Sequence, residues 1–253
     1  VASKKRSSNR SFGPILVVIG VIGVAILGWV VSRPAKVVTL DPSLPVVAAA
    51  GIVRGSPDAP VEIVEFADFE CPGCGFFATM AEPEVMSRLV ATGDVRFRFM
   101  DYPLSMHPNT VPAHNAAHCA DEQGKFWEMH DLLFREQDRW NGAATRTPKK
   151  VFERLAGEAG LDVPKWSECY DSGRMLPQIA ANRREGERLR VGSTPSFIIG
   201  GQLIAGAQTY DQIRQFVSLE MARIANSQAA AAVKLPAATK APAATKAPEK
   251  KAP

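Results

Sequence analysis

Two cysteines stand two residues apart in the segment Cys71-Pro72-Gly73-Cys74. This spacing brings two sulfurs within one helical turn, close enough to close a disulfide inside the loop and to open it again. The residues before the pair, Val61-Glu62-Ile63-Val64-Glu65-Phe66, form a strand-like run. Those after it, from about Phe76 to Ala91, follow a helical pattern with a bend expected at Pro83. A cysteine at such a strand-to-helix junction meets unpaired N–H groups and the positive end of a helix dipole. Both favour the thiolate and lower its pKa. The thiolate is the attacking species in thiol–disulfide exchange and the better leaving group. Cys71 therefore reads as the reactive sulfur and Cys74, one turn inside, as the resolving one. Pro72 suits the first helical turn, where no N–H donor is needed.

Other uses of the pair are weaker. Structural zinc takes a second close Cys or His pair, whereas Cys119 and Cys169 lie far apart and His107, His114, His118 and His130 form no matching pair beside a cysteine knuckle. No metal or cofactor is expected. A purely structural disulfide in so short a loop would remove little chain entropy. His114 and His118 share a helix face at i, i+4, which makes a metal site conceivable. No acidic third ligand is evident, so a helix-surface or capping role is expected. Trp127, Trp140 and Trp166, with Phe126 and Phe134, read as helical core.

The 253 residues suffice for one sizeable domain with tails. The net charge of +4 is unevenly placed, with basic ends around a slightly acidic middle. That is unlike a nucleic-acid binder, which needs a basic face. Residues 1–12 are polar and cationic, and residues 13–31 are uncharged. Nineteen residues at about 1.5 Å each reach roughly 28 Å, close to the hydrocarbon thickness. The expectation is a single transmembrane anchor with its cationic side in the cytoplasm and the rest outside, in the periplasm or at the cell surface. A cleaved signal peptide is the competing reading, although no small-x-small site follows directly. Residues 32–57 read as a proline-containing linker, 58–227 as the folded domain, and 228–253 as a disordered Ala/Pro/Lys tail carrying a short repeat.

Within the domain, Val95 to Met100 alternates as a second strand, and Pro112 to about Arg190 is helical, with breaks at Gly124, Asn141-Gly142, Gly160 and Gly173. Ser196 to Ile199 and Leu203 to Ala205 read as a hairpin around Gly200-Gly201, and Tyr210 to Ile224 as a closing helix. Cys119 and Cys169 both fall in the helical block. In an oxidising compartment they would tend to pair, with two buried free thiols or a second redox pair as alternatives.

Two segments, Glu65 to Cys74 and Gly192-Ser193-Thr194-Pro195-Ser196-Phe197, together resemble the DsbA-like branch of the thioredoxin superfamily. The resemblance covers roughly 58–227. It implies an α/β thioredoxin fold with an inserted helical subdomain at about 107–190. It implies a cis Thr194-Pro195 peptide beside the cysteines, which would offer a substrate peptide an edge for strand-like pairing. It places a buried acid at Glu65 beneath them, where desolvation raises a carboxyl pKa and lets it hold the proton of Cys74. A glutamate on a solvated strand face is the alternative reading of Glu65. Glu70 is expected to be exposed. The resemblance also permits a structural Cys119–Cys169 bridge.

The resemblance implies a protein-disulfide oxidoreductase that donates the Cys71–Cys74 disulfide to cysteine-containing extracytoplasmic proteins. A membrane quinone-linked thiol oxidase would reoxidise it. Strongly oxidising relatives carry a histidine where this chain has Gly73, which puts the direction in question. A reductase or isomerase, for example in cytochrome maturation, is the first alternative. A non-catalytic assembly subunit of a membrane complex is the second.

Overall fold

The computed structural model describes residues 18–25 and 39–234. Residues 18–25 form a helix, α1. The basic segment 1–12 and most of the expected anchor at 13–31 lie outside the described residues. Among those described, no helix is long and apolar enough to cross a membrane.

The core is a five-stranded sheet in the order β1-β3-β2-β4-β5, built from β1 (Ile52–Arg54), β2 (Val61–Ala67), β3 (Val95–Asp101), β4 (Ser196–Ile199) and β5 (Gln202–Ala205). Strands β2 and β3 are parallel, with Glu65 opposite Phe99, and the other pairings are antiparallel. A parallel pair needs a crossover. It is supplied by α2 (Pro72–Met80), α3 (Glu82–Val85) and a π-helical turn (Met86–Val90). The interruption at Ala81 has a local cause: Pro83 has no N–H to donate back into the preceding turn, so it begins a new helix instead. The β4–β5 turn uses Gly200 and Gly201 at φ of 57° and 80°, the left-handed geometry a two-residue hairpin requires.

Between β3 and β4 the chain forms the helical subdomain: α4 (Thr110–Asp121), α5 (Phe126–Arg135), α6 (Gln137–Trp140), α7 (Lys149–Glu158), α8 (Val163–Ser172) and α9 (Leu176–Arg188). Trp140 and Trp166 are fully buried there, and Trp127 is half-buried. Cys119 on α4 and Cys169 on α8 are joined as a disulfide. On the sheet, Ile63, Phe97, Phe197 and Ile199 pack with Phe77 of α2 and with Ile213 and Val217 of α10 (Tyr210–Lys234). Phe66 and Met100 face the other way, toward Tyr102 and Val191.

Two boundaries differ from the sequence expectation. The linker expected over 32–57 ends earlier, because Ile52, Val53 and Arg54 pair with Phe99, Arg98 and Phe97 as an edge strand. Just before it, the backbone of Ala50 is held by the Asn182 side chain of α9 at 2.8 and 3.0 Å. Three paired residues are too few to show a strand period in the sequence. At the other end, the closing helix continues through the Ala-rich run to Lys234, so the tail expected from 228 begins as helix. Alanine is the best helix former. Residues 235–253 lie outside the described residues.

Candidate active site

Strand β2 ends at Ala67 and hands the chain to a short loop, Asp68 to Glu70, that delivers Cys71 to the N-cap of α2. Cys71 has extended backbone geometry, φ −74° and ψ 123°, and its carbonyl accepts the Gly75 N–H at 3.1 Å. Pro72 occupies the first turn. Cys71 is 9% exposed and Cys74 0%, and both are free thiols.

The loop is clamped by two carboxylates. Asp68 accepts the Glu70 N–H at 2.7 Å, the Thr110 hydroxyl at 2.5 Å and the Leu104 N–H at 2.8 Å, and it pairs with His107 at 2.7 Å. Glu70 accepts the backbone N–H groups of Asn109 at 2.6 Å and Gly142 at 2.5 Å. Glu70 is therefore buried, contrary to the exposure expected for it. The inserted subdomain folds back over the loop and supplies donors that local sequence does not show. Gln137 of α6 donates to the carbonyls of Phe69 and Cys71 at 2.7 and 3.0 Å.

Across the site, the Thr194-Pro195 peptide is cis and leads into β4. The Cys71 sulfur lies 3.4 Å from the Thr194 carbonyl oxygen. Among the described residues Thr194 Oγ1 is buried without a partner, a donor available to an ionised sulfur. Beneath, Glu65 is 1% exposed, and its Oε2 has no hydrogen-bond partner among the described residues. The structure thus brings together Cys71, Cys74, Glu65, Pro72, Thr194 and Pro195. Cys119 and Cys169 are bonded to each other in the helical subdomain.

The electrostatics divide the two thiols. The Cys71 pKa is lowered to about 5, chiefly by hydrogen bonding with Cys74. Burial opposes this, and Thr194 and the N–H groups of Cys74 and Gly73 assist it. Burial pushes the Cys74 thiol well up, and its hydrogen bond to Cys71 pushes it further. Burial, then the Cys71 charge, raises Glu65 to about 8. At neutral pH the site therefore holds one thiolate, one thiol and a protonated carboxyl, which is the arrangement thiol–disulfide exchange requires.

His114 and His118 do not lie on the helix surface expected for them. Both are buried against Asp101, at 2.6 and 2.7 Å, and Asn182 donates to the same carboxylate at 2.6 Å. Asp101 ends β3, thirteen and seventeen residues before them. An acid that far from its histidines is invisible to helical spacing.

A family model described as thioredoxin matches residues 48–218. The chain is 34% identical to a protein named Na(+)/H(+) antiporter NhaA 3 from Salinispora tropica, over 74% of this chain and 29% of that one. It is 23% identical to disulfide bond formation protein D of Bacillus subtilis, over 67% of this chain and 76% of the relative. The chain spans about a third or less of the antiporter-named relatives, 29% and 32% for two of them. Among solved structures, oxidised BdbD from Bacillus subtilis superposes with a TM-score of 0.60 at 23% identity, covering 69% of this chain and 97% of that one. A thioredoxin-like oxidoreductase from Silicibacter pomeroyi gives 0.54 at 27% identity, covering 70% and 92%. With the sheet order, the inserted helical subdomain and the family match in agreement, the chain belongs to the thioredoxin family.

Proposed function

We propose that this thiol–disulfide oxidoreductase donates its Cys71–Cys74 disulfide to reduced cysteine-containing proteins outside the cytoplasm. The observation that carries the reading is the opposite displacement of the two thiols, Cys71 down to about 5 and Cys74 well up. A stabilised Cys71 thiolate stabilises the reduced enzyme, so the oxidised form gives up its disulfide readily. A substrate thiolate attacks the Cys71 sulfur, the Cys71–Cys74 bond breaks, and Cys74 leaves and is protonated. The substrate's second thiolate then attacks the mixed disulfide, and Cys71 departs as the thiolate.

The extracytoplasmic location rests on the uncharged run at 13–31, and the Cys119–Cys169 bridge suits an oxidising compartment. The run would anchor the domain near a membrane quinone-linked thiol oxidase, the reoxidant that the family resemblance implies. The antiporter-named relatives share with this chain a segment of about 200 residues, and thiol exchange is the activity this segment's own residues support.

Equilibration with glutathione buffers tests the direction. A potential near that of the strong oxidant DsbA, about −120 mV, supports donation, and one near thioredoxin's, about −270 mV, sinks it. Cys74→Ala should accumulate mixed disulfides with envelope proteins through Cys71. A second reading, reductase or isomerase, is favoured by one feature: Gly73 places no cationic side chain beside the thiolate.

A further inference from the structure

Exchange at this site moves a proton as well as a disulfide. When the disulfide opens, Cys74 leaves as a thiolate in a fully buried position and must be protonated there. Glu65 is placed to supply that proton, but it is itself buried, so its proton must be replaced from solvent.

Among the described residues, Glu65 Oε2, Glu82 Oε2 and His130 Nε2 are buried with no hydrogen-bond partner, and Glu82 lies near enough to His130 and Glu65 to feel the charge of each. Glu82 begins α3, just beyond the active-site helix, and is 3% exposed. His130 on α5 is fully buried. Its Nε2 faces Glu82 Oε2 at 3.7 Å, a gap that one water or a small side-chain rotation spans. The opposite ring nitrogen, Nδ1, is 2.8 Å from Asp131 Oδ1, and the Asp131 side chain is 60% exposed. The His130 ring packs edge-on against Phe99, centroids 5.3 Å apart, and Phe99 is the cross-strand neighbour of Glu65. The ring therefore lies over the sheet face that carries Glu65. Glu82, Asp131 and Arg54 line an open cavity of about 690 Å³.

We propose that Glu82, His130 and Asp131 form a proton relay that connects Glu65, and through it Cys74, to solvent during disulfide exchange. The proposal rests on the thiol-exchange function above. Glu82 and Asp131 address opposite nitrogens of one imidazole, which suits passage of a proton through the ring rather than one ion held at one nitrogen. With Nδ1–H donated to Asp131, the Nε2 lone pair accepts from a protonated Glu82. The groups acting on Glu82 are His130, Glu65, Asp131 and Arg54. Burial dominates, raising Glu82 to about 8, so at neutral pH it holds a proton, as Glu65 does. In the forward step the substrate thiolate attacks Cys71. The S–S electron pair goes to Cys74, and Cys74 takes the Glu65 proton. Glu65 takes one from Glu82, and Glu82 is reprotonated through His130 from the cavity. The enzyme takes up one proton for each mixed disulfide formed.

The test is stopped-flow tryptophan fluorescence of the full-length oxidised protein mixed with dithiothreitol between pH 6 and 9, with rates corrected for the thiolate fraction of the reagent. In wild type the corrected rate should fall above about pH 8, as both carboxyls lose their protons. Glu82→Gln and His130→Gln should slow the reaction about tenfold at pH 7, less than the ~10²-fold typical of removing the donating group itself. Both should also flatten the pH profile, which a purely structural role would not do. A wild-type rate and profile in either variant overturns the relay. If neither variant folds, Asp131→Asn at the exposed end decides by the same criteria. The two proposals fail separately: a wild type that dithiothreitol reduces but that oxidises no reduced protein sinks the donor function and leaves the relay result standing.

Discussion

The Cys71 sulfur lies 3.4 Å from the carbonyl oxygen of Thr194, 123 residues further along the chain. This contact places the reactive sulfur against the backbone that leads into β4. It assists the Cys74 hydrogen bond in lowering the Cys71 pKa, and burial sets Cys74 apart. Cys71 borders this loop at the site's edge, and Cys74 is enclosed by α2 and the core.

The Cys71 thiolate should form with a midpoint near pH 5. Thiolate ultraviolet absorbance across pH 3 to 8 measures it, and Cys71→Ser should abolish the step. The pKa is depressed on folding, so its contribution to the stability of the reduced protein is present above the unfolded thiol's value, near 9, and is lost as pH falls through about 5. A midpoint above pH 8 would contradict the site as described.

Gly73→His should strengthen the oxidant. A Cβ at this position would lie 3.4 Å from Pro195 Cδ and 3.7 Å from the Cys71 sulfur, ordinary contact distances. A cationic imidazole there should lower the Cys71 pKa by about one unit, equivalent to roughly 1.4 kcal/mol or 30 mV for the two-electron couple. Equilibrium with glutathione reads the shift directly. No change would mean that the side chain points away from the sulfur.

Glu65→Gln should slow exchange by about 10²-fold at neutral pH through loss of a proton donor. It should also change how stability depends on pH. Glu65 is raised to about 8 on folding, so its contribution is fully present below about pH 4.5 and is lost as pH rises through 8. Urea denaturation of the reduced variant should show a shallower decline between pH 5 and 8 than wild type. An identical decline would place the titration elsewhere.

Asp101 accepts from His114, His118 and Asn182 in a buried cluster that ties β3 to α4 and α9. Burial works against its charge, but His118 and His114 hold the carboxyl well below the usual range. Burial likewise opposes the His118 charge, and Asp101 overrides it and raises the His118 pKa. Asp101→Asn should destabilise the protein by about 3–5 kcal/mol, the usual cost of removing one partner of a buried charge pair. The Asp101 contribution is lost as pH falls below about 4, and that of His118 as pH rises above its elevated value. Relative to pH 6, the denaturant midpoint should therefore fall more at pH 2 and at pH 9 in wild type than in the variant.

The Cys119–Cys169 bridge spans a sequence separation of 50. Replacing both residues with alanine should cost up to about 4 kcal/mol on the loop-closure model. Neither bridge residue is among the groups that set the Cys71 pKa, so that pKa and the dithiothreitol rate should stay at wild-type values. A large change in either would give the bridge a role in exchange.

The sequence by itself determined the features set within a few residues. The CxxC at the junction of strand and helix, the break before Pro83 and the Gly200-Gly201 hairpin follow from backbone chemistry that neighbours settle among themselves. Tertiary structure decided which polar groups are buried and what they meet. Glu70 looked like a solvent-facing neighbour of Cys71 until the subdomain brought Asn109 and Gly142 over it. The Asp101 cluster, the Gln137 clamp and the line from Glu65 through Glu82 and His130 are likewise assembled from residues up to 81 positions apart. Burial is what gives these side chains their altered proton affinities, and it is a property of the packed fold that no local spacing encodes.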